Sequence, residues 1–504
     1  MKKTLIAVSI LAVLLLVLVA ATPPQGSSPQ STHAKAHTGA KPSTVSAHAP
    51  AGSTSNCLAP PTVTSTTPKD FALTRQADAN CFAWQEFISL GWTASSRMRG
   101  QPDTTVPAAK IGAPLDVKPT VWETYKESDE VFLPDAAKPG AWNSWPAGAA
   151  IKILGGMKSE TDSQPALDLS EIGQASPGSP WLTAQSKLLT LYERRMNEDE
   201  FNYIVNNNLY NATTQQTFVT SPGISLPDGT ATSAAYGPLG SIETKAAWIE
   251  LPNNADWPRY KISRANIRYP DGVERKNVVV GLVGLHIIHK TALGQQFIWA
   301  TFEHRDNCPS RDEVASGKLK AKYTYYNPKC DPKTDYYGCA ANANPATYKG
   351  SKTPNPYNAP NQIVRETAIA SRPNDDVVGL NQYVWNQIKA ANPKSVYLNY
   401  ELVNTLWSNQ NTTIQPGART PLFAGQLSPG PSQEPVTNTT LETYVQSLTC
   451  LTCHASAPIA SVQPQAATKI FDPTKAPAPT NPYAADYSFL LDNAQQPKAN
   501  QGNH

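Results

Sequence analysis

The sequence predicts an α+β protein in which a large, β-rich domain is built around a central antiparallel hairpin, with helices at its periphery. The hairpin comprises residues 278–291 and 295–304, which are dense in Val, Ile, Phe and Trp and are separated by Ala292-Leu293-Gly294. β-Branched and aromatic residues on both sides of a short turn are typical of paired strands. Composition agrees, because 45 Pro and 20 Tyr with only 16% charged residues indicate many loops between strands.

Further elements follow from the spacing of apolar residues. In residues 79–92, Phe82, Phe87 and Leu90 recur at helical spacing, which predicts an amphipathic helix with inward-facing aromatic side chains. Other helices are predicted at 187–209, 377–392, 395–407 and 440–448, and other strands at 120–125 and 245–251. Residues 305–362 are dense in Lys, Tyr, Asn and Pro, and are expected to form a long surface excursion.

The first 56 residues differ in composition from the rest of the chain. Lys2 and Lys3 precede an apolar run over 5–19 and then small residues, which is typical of a cleaved secretory signal peptide over 1–21. Residues 22–56 have almost no large apolar side chains, so they are predicted to be a disordered linker. The remainder is divided into a large β-rich domain, 57–435, and a short C-terminal segment, 436–504.

Near the C-terminus, Cys450, Cys453 and His454 form a C-x-x-C-H motif. Two thiols at this spacing add across the two vinyl groups of a haem, and the histidine that follows becomes the proximal axial ligand of the iron. From the Cys and His content of the chain, roughly 0.0015 such motifs are expected by chance. The motif therefore predicts one covalently attached haem c, with its iron bound by His454.

Two other interpretations of the paired cysteines stay open. A redox-active dithiol prefers a βαβ context, which the surrounding sequence does not show. Half of a zinc site would need a second pair of ligands at matching spacing. Covalent attachment of a haem requires neither a βαβ context nor a second pair of ligands.

The second axial ligand of the haem has to come from outside the C-terminal segment. The chain has four methionines, and none of them follows His454. The segment is thus too short and too poor in ligands to enclose a haem alone, and we expect the large domain to cover it.

Three histidines on the predicted hairpin, His286, His289 and His304, are the candidates for the distal side. His286 and His289 should face opposite sides of the strand, because side chains alternate. Gly284 shares the face of His286 and leaves room for a flat cofactor, and a turn near 294–295 would bring His304 opposite or diagonal to His286. A hydrogen-bonded structural role is the alternative for each histidine.

A polar cluster ends the second strand of the hairpin, where Glu303 and His304 are followed by Arg305, Asp306 and Asn307. Beside a haem, such a cluster could serve as a proton relay or a substrate pocket. The alternative is a polar strand end whose groups are tied to a turn.

The remaining five cysteines permit two disulfides and one free thiol. Pairing of Cys330 with Cys339 would close a short loop, pairing of Cys57 with Cys81 would staple the start of the domain, and Cys308 would be left over; the sequence alone does not decide the pairing. Disulfides and a secretory leader both indicate an oxidising compartment. We expect the bacterial periplasm or the cell surface, where haem c is attached after export.

Charge and motifs exclude several classes of function. The formal net charge is +3 at pH 7, and without Lys2 and Lys3 of the leader the basic and acidic residues nearly balance. A chain of this kind has no electrostatic footprint for nucleic acid. The sequence also contains no HExxH, P-loop, GxSxG or Gly-rich dinucleotide motif, so hydrolase and nucleotide-binding functions have no support.

Six segments resemble a family of exported bacterial proteins known as cytochrome c family proteins. In chain order they are 84–92 (WQEFISLGW), 121–126 (VWETYK), 245–248 (KAAW), 284–291 (GLHIIHKT), 299–304 (WATFEH) and 450–454 (CLTCH). They span most of the folded body. The resemblance implies haem binding and electron transfer, with Cys450, Cys453 and His454 as haem residues, and it assigns no substrate or reaction.

The combined expectation is a periplasmic mono-haem c-type cytochrome that exchanges electrons with a redox partner. One alternative is a haem-dependent oxidoreductase with a pocket near Glu303 and His304, because several hundred residues exceed what an electron carrier needs. Another is a haem-based redox or ligand sensor. No membrane span is expected unless the leader is retained as an anchor.

Overall fold

The structure is a computed structural model. It describes residues 57–71, 74–145, 152–154, 174–175, 181–269, 272–331, 333–334, 338–345, 356–373, 375–423, 425, 435–462 and 481–498. These residues belong to one compact unit. The predicted signal peptide over 1–21 and the linker over 22–56 lie outside the described residues.

Strands and short helices alternate along this unit. The strands are β1 (Lys126–Glu127), β2 (Lys152–Leu154), β3 (Thr190–Met196), β4 (Ile242–Glu250), β5 (Ile262–Arg268), β6 (Glu274–His289), β7 (Ile298–His304), β8 (Ser371–Arg372), β9 (Asp375–Asp376) and β10 (Tyr400–Leu406). The α-helices are α1 (Gln76–Leu90), α2 (Ser128–Val131), α3 (Glu198–Asn206), α4 (Ala212–Phe218), α5 (Arg311–Ser316), α6 (Val377–Ala391) and α7 (Cys450–His454). Eight of the strands form one sheet, and β8 pairs with β9 in a separate ribbon.

Strand β6 organises the sheet because it is long enough to pair with three neighbours. One of its edges pairs with β4, and the other pairs first with β5 and then with β7. The sheet continues through β3 and β1 beyond β4, through β10 beyond β7, and through β2 beyond β5. Every pair is antiparallel except β2 with β5. The predicted central hairpin is therefore confirmed as β6 and β7.

The two faces of the hairpin are covered by different parts of the chain. On one face, Trp84 and Phe87 of α1 pack against Phe302, with ring centroids 5.0 and 4.5 Å apart. On the other face, residues 436–446 lie against β7, where Asn438 donates a hydrogen bond to the hydroxyl of Thr301. Because both faces are buried, the hairpin has the nearly continuous apolar sequence that predicted it.

Several predicted elements are confirmed and others are wrong. The helices at 79–92 and 377–392 correspond to α1 and α6, and the strand at 245–251 corresponds to β4. The helix predicted over 187–209 is wrong, because β3 occupies its first half and α3 begins only after Asn197, whose side chain accepts a hydrogen bond from the Glu200 amide. Pairing of β3 with β4 buries Leu191 and Tyr192 on opposite faces, which a helical pattern does not anticipate.

Three shorter predictions are also wrong. Residues 120–125 contain a 3₁₀-helix, Trp122–Thr124, closed by hydrogen bonds from Thr120 to the Glu123 carboxylate. Residues 395–407 form a 3₁₀-turn followed by β10, which pairs with β7. Residues 440–448 form successive turns rather than a helix. The side chain of Asn438 accepts a hydrogen bond from the Thr440 amide and donates one to Thr301 of β7, so this stretch is held by the hairpin and not by helical hydrogen bonds.

The excursion over 305–362 is only partly on the surface. Tyr325 is fully buried, and its hydroxyl shares a hydrogen bond with Thr190 of β3. Within the described residues, disulfides join Cys57 to Cys81 and Cys330 to Cys339, and Cys308 is a buried free thiol. This is the pairing that the sequence suggested without deciding.

Candidate haem-attachment site

The C-x-x-C-H motif forms the single-turn helix α7. Thr449 caps it, because its side chain accepts from the Thr452 amide while the Thr452 side chain accepts from the Thr449 amide. Cys450 and Cys453 are both free thiols and partly exposed. The helix therefore presents two reactive sulfur atoms one turn apart, as covalent attachment of a haem requires.

His454 is held in the tautomer that a metal ligand needs. Its Nδ1 lies 2.8 Å from the carbonyl oxygen of Tyr487. Because a carbonyl can only accept, Nδ1 carries the proton and Nε2 keeps its lone pair. A hydrogen bond from the non-ligating nitrogen to a carbonyl is the usual way in which proteins orient a ligating histidine.

Two aromatic rings pack against the half-buried imidazole of His454. Trp299 of β7 lies 4.4 Å away and Phe489 4.9 Å away, measured between ring centroids. Burial lowers the pKa of His454 to about 4, although the bond to Tyr487 acts in the opposite direction. The imidazole is thus neutral at physiological pH, which is the form that binds iron.

The carbonyl that orients His454 belongs to a backbone segment in an unusual conformation. Asp486 and Tyr487 have φ values of 52° and 65°, and such left-handed non-glycine residues cost about 1 kcal/mol or more each. They are held in place because Asp486 binds the ammonium group of Lys290 at 2.5 Å and the Tyr487 hydroxyl donates to the Phe423 carbonyl. Strain maintained in this way is common at functional sites.

The segment before the motif is fastened to the central hairpin by buried polar contacts. Glu303 of β7 accepts hydrogen bonds from the amide and the hydroxyl of Thr439, both at 2.5 Å, and forms an ion pair with Arg365. Glu303 is completely buried. The carboxylate that the sequence assigned to a candidate pocket therefore joins the C-terminal segment to the sheet.

Gly284 does not leave room for a cofactor, contrary to the sequence prediction. A Cβ atom at this position would lie 2.1 Å from the Thr440 hydroxyl oxygen and 2.8 Å from Asn438. The missing side chain makes space for the C-terminal segment itself. The physical reason is that this segment, and not a flat ligand, covers the hairpin at Gly284.

Of the three candidate distal histidines, His286 is the one directed towards the motif. Its Nε2 lies 2.9 and 3.1 Å from the two carboxylate oxygens of Glu442. Burial would raise the pKa of Glu442, but His286, Lys245 and the Asn438 amide hold it below its usual range. The charges of Glu442 and His286 also act on the imidazole of His454, and that of Glu442 on both motif thiols.

His289 and His304 have partners elsewhere. His289 is fully buried between Glu86 of α1, at 2.5 Å, and the Leu239 carbonyl, at 2.8 Å. His304 donates from Nε2 to the Arg259 carbonyl and stacks on Tyr260, and burial lowers its pKa to about 4. The partners found for these two histidines all lie in the large domain.

The register of the hairpin explains why His304 is not beside His286. His286 pairs with Thr301, and Glu303 pairs with Gly284, so His304 lies farther along the sheet. The predicted turn position was wrong by about one residue, because the connection extends over 290–297 and places the last pair at His289 and Ile298.

Several residues carry no signal in the sequence for contact with His454, His286 or Glu303, although the apolar residues 487–491 predict a segment that docks onto the body. Glu442, Tyr487, Phe489 and Arg365 are brought to the site only by the packing of the C-terminal segment on the sheet. Trp299 belongs to a segment that the sequence singled out, but nothing there indicated a contact with His454.

A pair of buried carboxyl groups lies behind the site. Glu200 of α3 is fully buried, and Glu243 of β4 is 7% exposed. Burial raises the pKa of both carboxyl groups, to about 7 for Glu243, and the charge of Asp486 raises both further. The interaction between the two groups raises the pKa of Glu200 and lowers that of Glu243. The side chain of Ser488 acts in the opposite direction to burial and lowers the pKa of Glu243.

This pair predicts that folding stability depends on pH. A carboxyl group with a raised folded pKa contributes stability that is present below its unfolded pKa, 4.5, and is lost as the pH rises through about 7. We expect the unfolding free energy of the native chain, relative to a Glu243→Gln variant, to fall by on the order of 3 kcal/mol across this window. Urea unfolding at several pH values measures it. The titration of His304 and His454 contributes equally to both proteins and cancels in the comparison. Parallel plots of unfolding free energy against pH for the native protein and the variant would contradict the prediction.

Known proteins give no guide to the role of this site. No protein-family model matches the chain, and no curated protein or solved structure matches it. Among the described residues, no group of three or more His, Cys, Asp or Glu side chains is arranged to hold a metal ion. The described part of the chain also has no helix long and apolar enough to cross a membrane.

Proposed function

We propose that this protein is an exported mono-haem c-type cytochrome that transfers electrons in the bacterial periplasm. Cys450 and Cys453 would hold the haem by thioether bonds, and His454 would bind its iron. The observation that carries the proposal is the His454 imidazole, which is fixed by the Tyr487 carbonyl with Nε2 available, on the same helical turn as two free thiols.

The residues around the motif suit this chemistry. When bound, a haem supplies a one-electron redox centre. Burial raises the pKa of the Cys450 and Cys453 thiols, so they carry the hydrogen that adds to a vinyl group together with the sulfur. Trp299 and Phe489 pack against the His454 ring, and the Glu442 carboxylate lowers the electrostatic potential there.

The proposed compartment and partner rest on the sequence and the cysteine chemistry. The leader over 1–21 and the disulfides Cys57–Cys81 and Cys330–Cys339 support an oxidising location outside the cytoplasm. The partner would be another periplasmic redox protein. The near-neutral composition provides no argument for nucleic acid.

A second candidate is a haem-dependent oxidoreductase or a haem-based sensor. Glu303 and His304 do not favour it, because Arg365 and Thr439 bind the first and Arg259 and Tyr260 engage the second. The observation in its favour is the His286–Glu442 pair, which could bind or protonate a ligand on the open side of an iron.

Visible spectra of the mature protein, exported together with haem-maturation machinery, separate these candidates. An electron carrier should show a six-coordinate, low-spin spectrum in both redox states and no change with carbon monoxide. A high-spin iron that binds carbon monoxide readily would favour the oxidoreductase or sensor. Protein without covalent haem would overturn both.

Replacement of the hairpin histidines tests which one meets the distal side. We expect His286→Ala to change the Soret position or the spin state, because His286 is the histidine whose charge acts on His454. The matched variants His289→Ala and His304→Ala should leave the spectrum unchanged and lower the unfolding free energy, by about 1–3 kcal/mol for the buried partners left unsatisfied. An unaltered His286→Ala spectrum would assign all three to structure.

A further inference from the structure

The carboxyl pair Glu200 and Glu243 is connected to the haem-binding motif by two routes. Through the C-terminal segment, the side chain of Ser488 acts on the pKa of Glu243, and the carbonyl of the neighbouring Tyr487 accepts a hydrogen bond from His454. Through the sheet, Glu243 pairs with Ile288, which pairs with Trp299, and Trp299 contacts the His454 ring. Both routes lead to the same imidazole.

The two carboxyl groups cannot both be ionised without a cost. Both oxygens of Glu200 and one oxygen of Glu243 are buried and have no donor among the described residues, yet the two side chains are within hydrogen-bonding distance of each other. Two carboxylates are both acceptors, so a hydrogen bond between them requires one proton. Like-charged carboxyl groups that share a site commonly share a proton in this way.

The charged groups that face the pair come from every element packed against it. Asp486 of the C-terminal segment adds negative charge, and Lys290, which follows β6, offsets it through an ion pair. Arg194 of β3 acts on Glu243 from the neighbouring strand. Because Asp486 forms an ion pair with Lys290, the carboxyl groups of Glu200 and Glu243, which carry buried oxygens with no donor among the described residues, are the members of this cluster that can exchange a proton.

We propose that Glu200 and Glu243 form a proton-sharing pair that takes up a proton when the haem-binding site gains an electron. This inference rests on the proposed function. It adds that the electron transfer of the protein is coupled to the uptake of a proton. One electron from a one-electron donor enters at the haem while one proton from solvent enters the pair. No bond of the chain breaks, and oxidation releases both.

The expected size of the coupling follows from the sheet. Strands are about 4.8 Å apart, so β4 lies roughly 10 Å from β7, whose Trp299 contacts His454. At an effective dielectric constant of about 20, two unit charges at this distance change each other's pKa by on the order of one unit. For a one-electron couple, a tenfold change in an equilibrium constant corresponds to 59 mV.

Midpoint potentials of the full mature protein test this proposal. They would be measured by spectroelectrochemistry with soluble mediators from about pH 5 to 9, a range that spans the titration. As the pH rises, the native potential should fall by about 59 mV more than that of Glu243→Gln or Glu200→Gln, because these variants keep only the pH dependence that comes from other groups. Glu274→Gln, an exposed carboxylate at the far end of β6, is the matched control and should behave as the native protein.

Equal pH dependence in the native and Glu243→Gln proteins would overturn the inference and leave the proposed function intact. Protein without covalent haem would overturn the proposed function, and is recognised by haem staining before any potential is measured. Because a variant can fail to fold, proton uptake by the native protein on reduction at pH 7 is followed separately with an indicator dye. No proton uptake there would also overturn the inference.

Discussion

A Cys450→Ala, Cys453→Ala double variant should lose covalent haem completely. The structure provides two free thiols on α7, and under the proposed function each would form one thioether bond. The third free thiol among the described cysteines, Cys308, is buried against Thr439 and cannot substitute for them. Haem staining after denaturing electrophoresis, with the mass of the intact protein, measures the loss.

Matched variants make this result interpretable. Cys308→Ala should retain covalent haem, and each single change at Cys450 or Cys453 should leave one thioether and shift the reduced absorption band. His454→Ala should keep the covalent bonds and change the spectrum, because the role proposed for His454 is to ligate the iron and not to attach the porphyrin. Covalent haem in the double variant would mean that the motif is not the attachment site, and would leave the redox dithiol and the half zinc site as its interpretations.

Arg365→Met should destabilise the protein by about 3–5 kcal/mol, because it leaves a buried carboxylate without its partner. Glu303 is completely buried, and among the described residues Arg365 is the cation that forms an ion pair with it, at 2.7 Å. Since Glu303 also holds Thr439, the C-terminal segment should lose its anchor. Urea unfolding and the haem content of exported protein measure both effects.

Two further variants decide whether the buried charge is the cause. The double variant Glu303→Gln, Arg365→Met should recover much of the stability, because the neutral amide no longer carries an uncompensated charge. Arg259→Met breaks a more exposed ion pair with Asp306 and should cost about 1 kcal/mol or less. Equal losses for Arg365→Met and Arg259→Met would show that Glu303 is not the anchor.

The sequence predicted correctly those elements whose apolar residues form long, uninterrupted patterns. β6, β7 and α1 were predicted close to their observed positions, because their apolar patterns are long. The prediction for 187–209 was wrong. The spacing of Leu188, Leu191 and Tyr192 fits a helix, but the first half of the segment forms β3 because it pairs with β4. Strand pairing is a long-range contact, and a local pattern does not contain it.

By itself, the sequence determined which reactive groups the candidate site holds, and it predicted their covalent chemistry. Cys450, Cys453 and His454 lie within five residues, so two thiols and an imidazole stay close together however the rest of the chain folds. Only the tertiary structure decided what surrounds that turn. The carbonyl that orients His454 comes from 33 residues away and the carboxylate that binds His286 from 156 residues away, and such partners depend on how the C-terminal segment packs on the sheet.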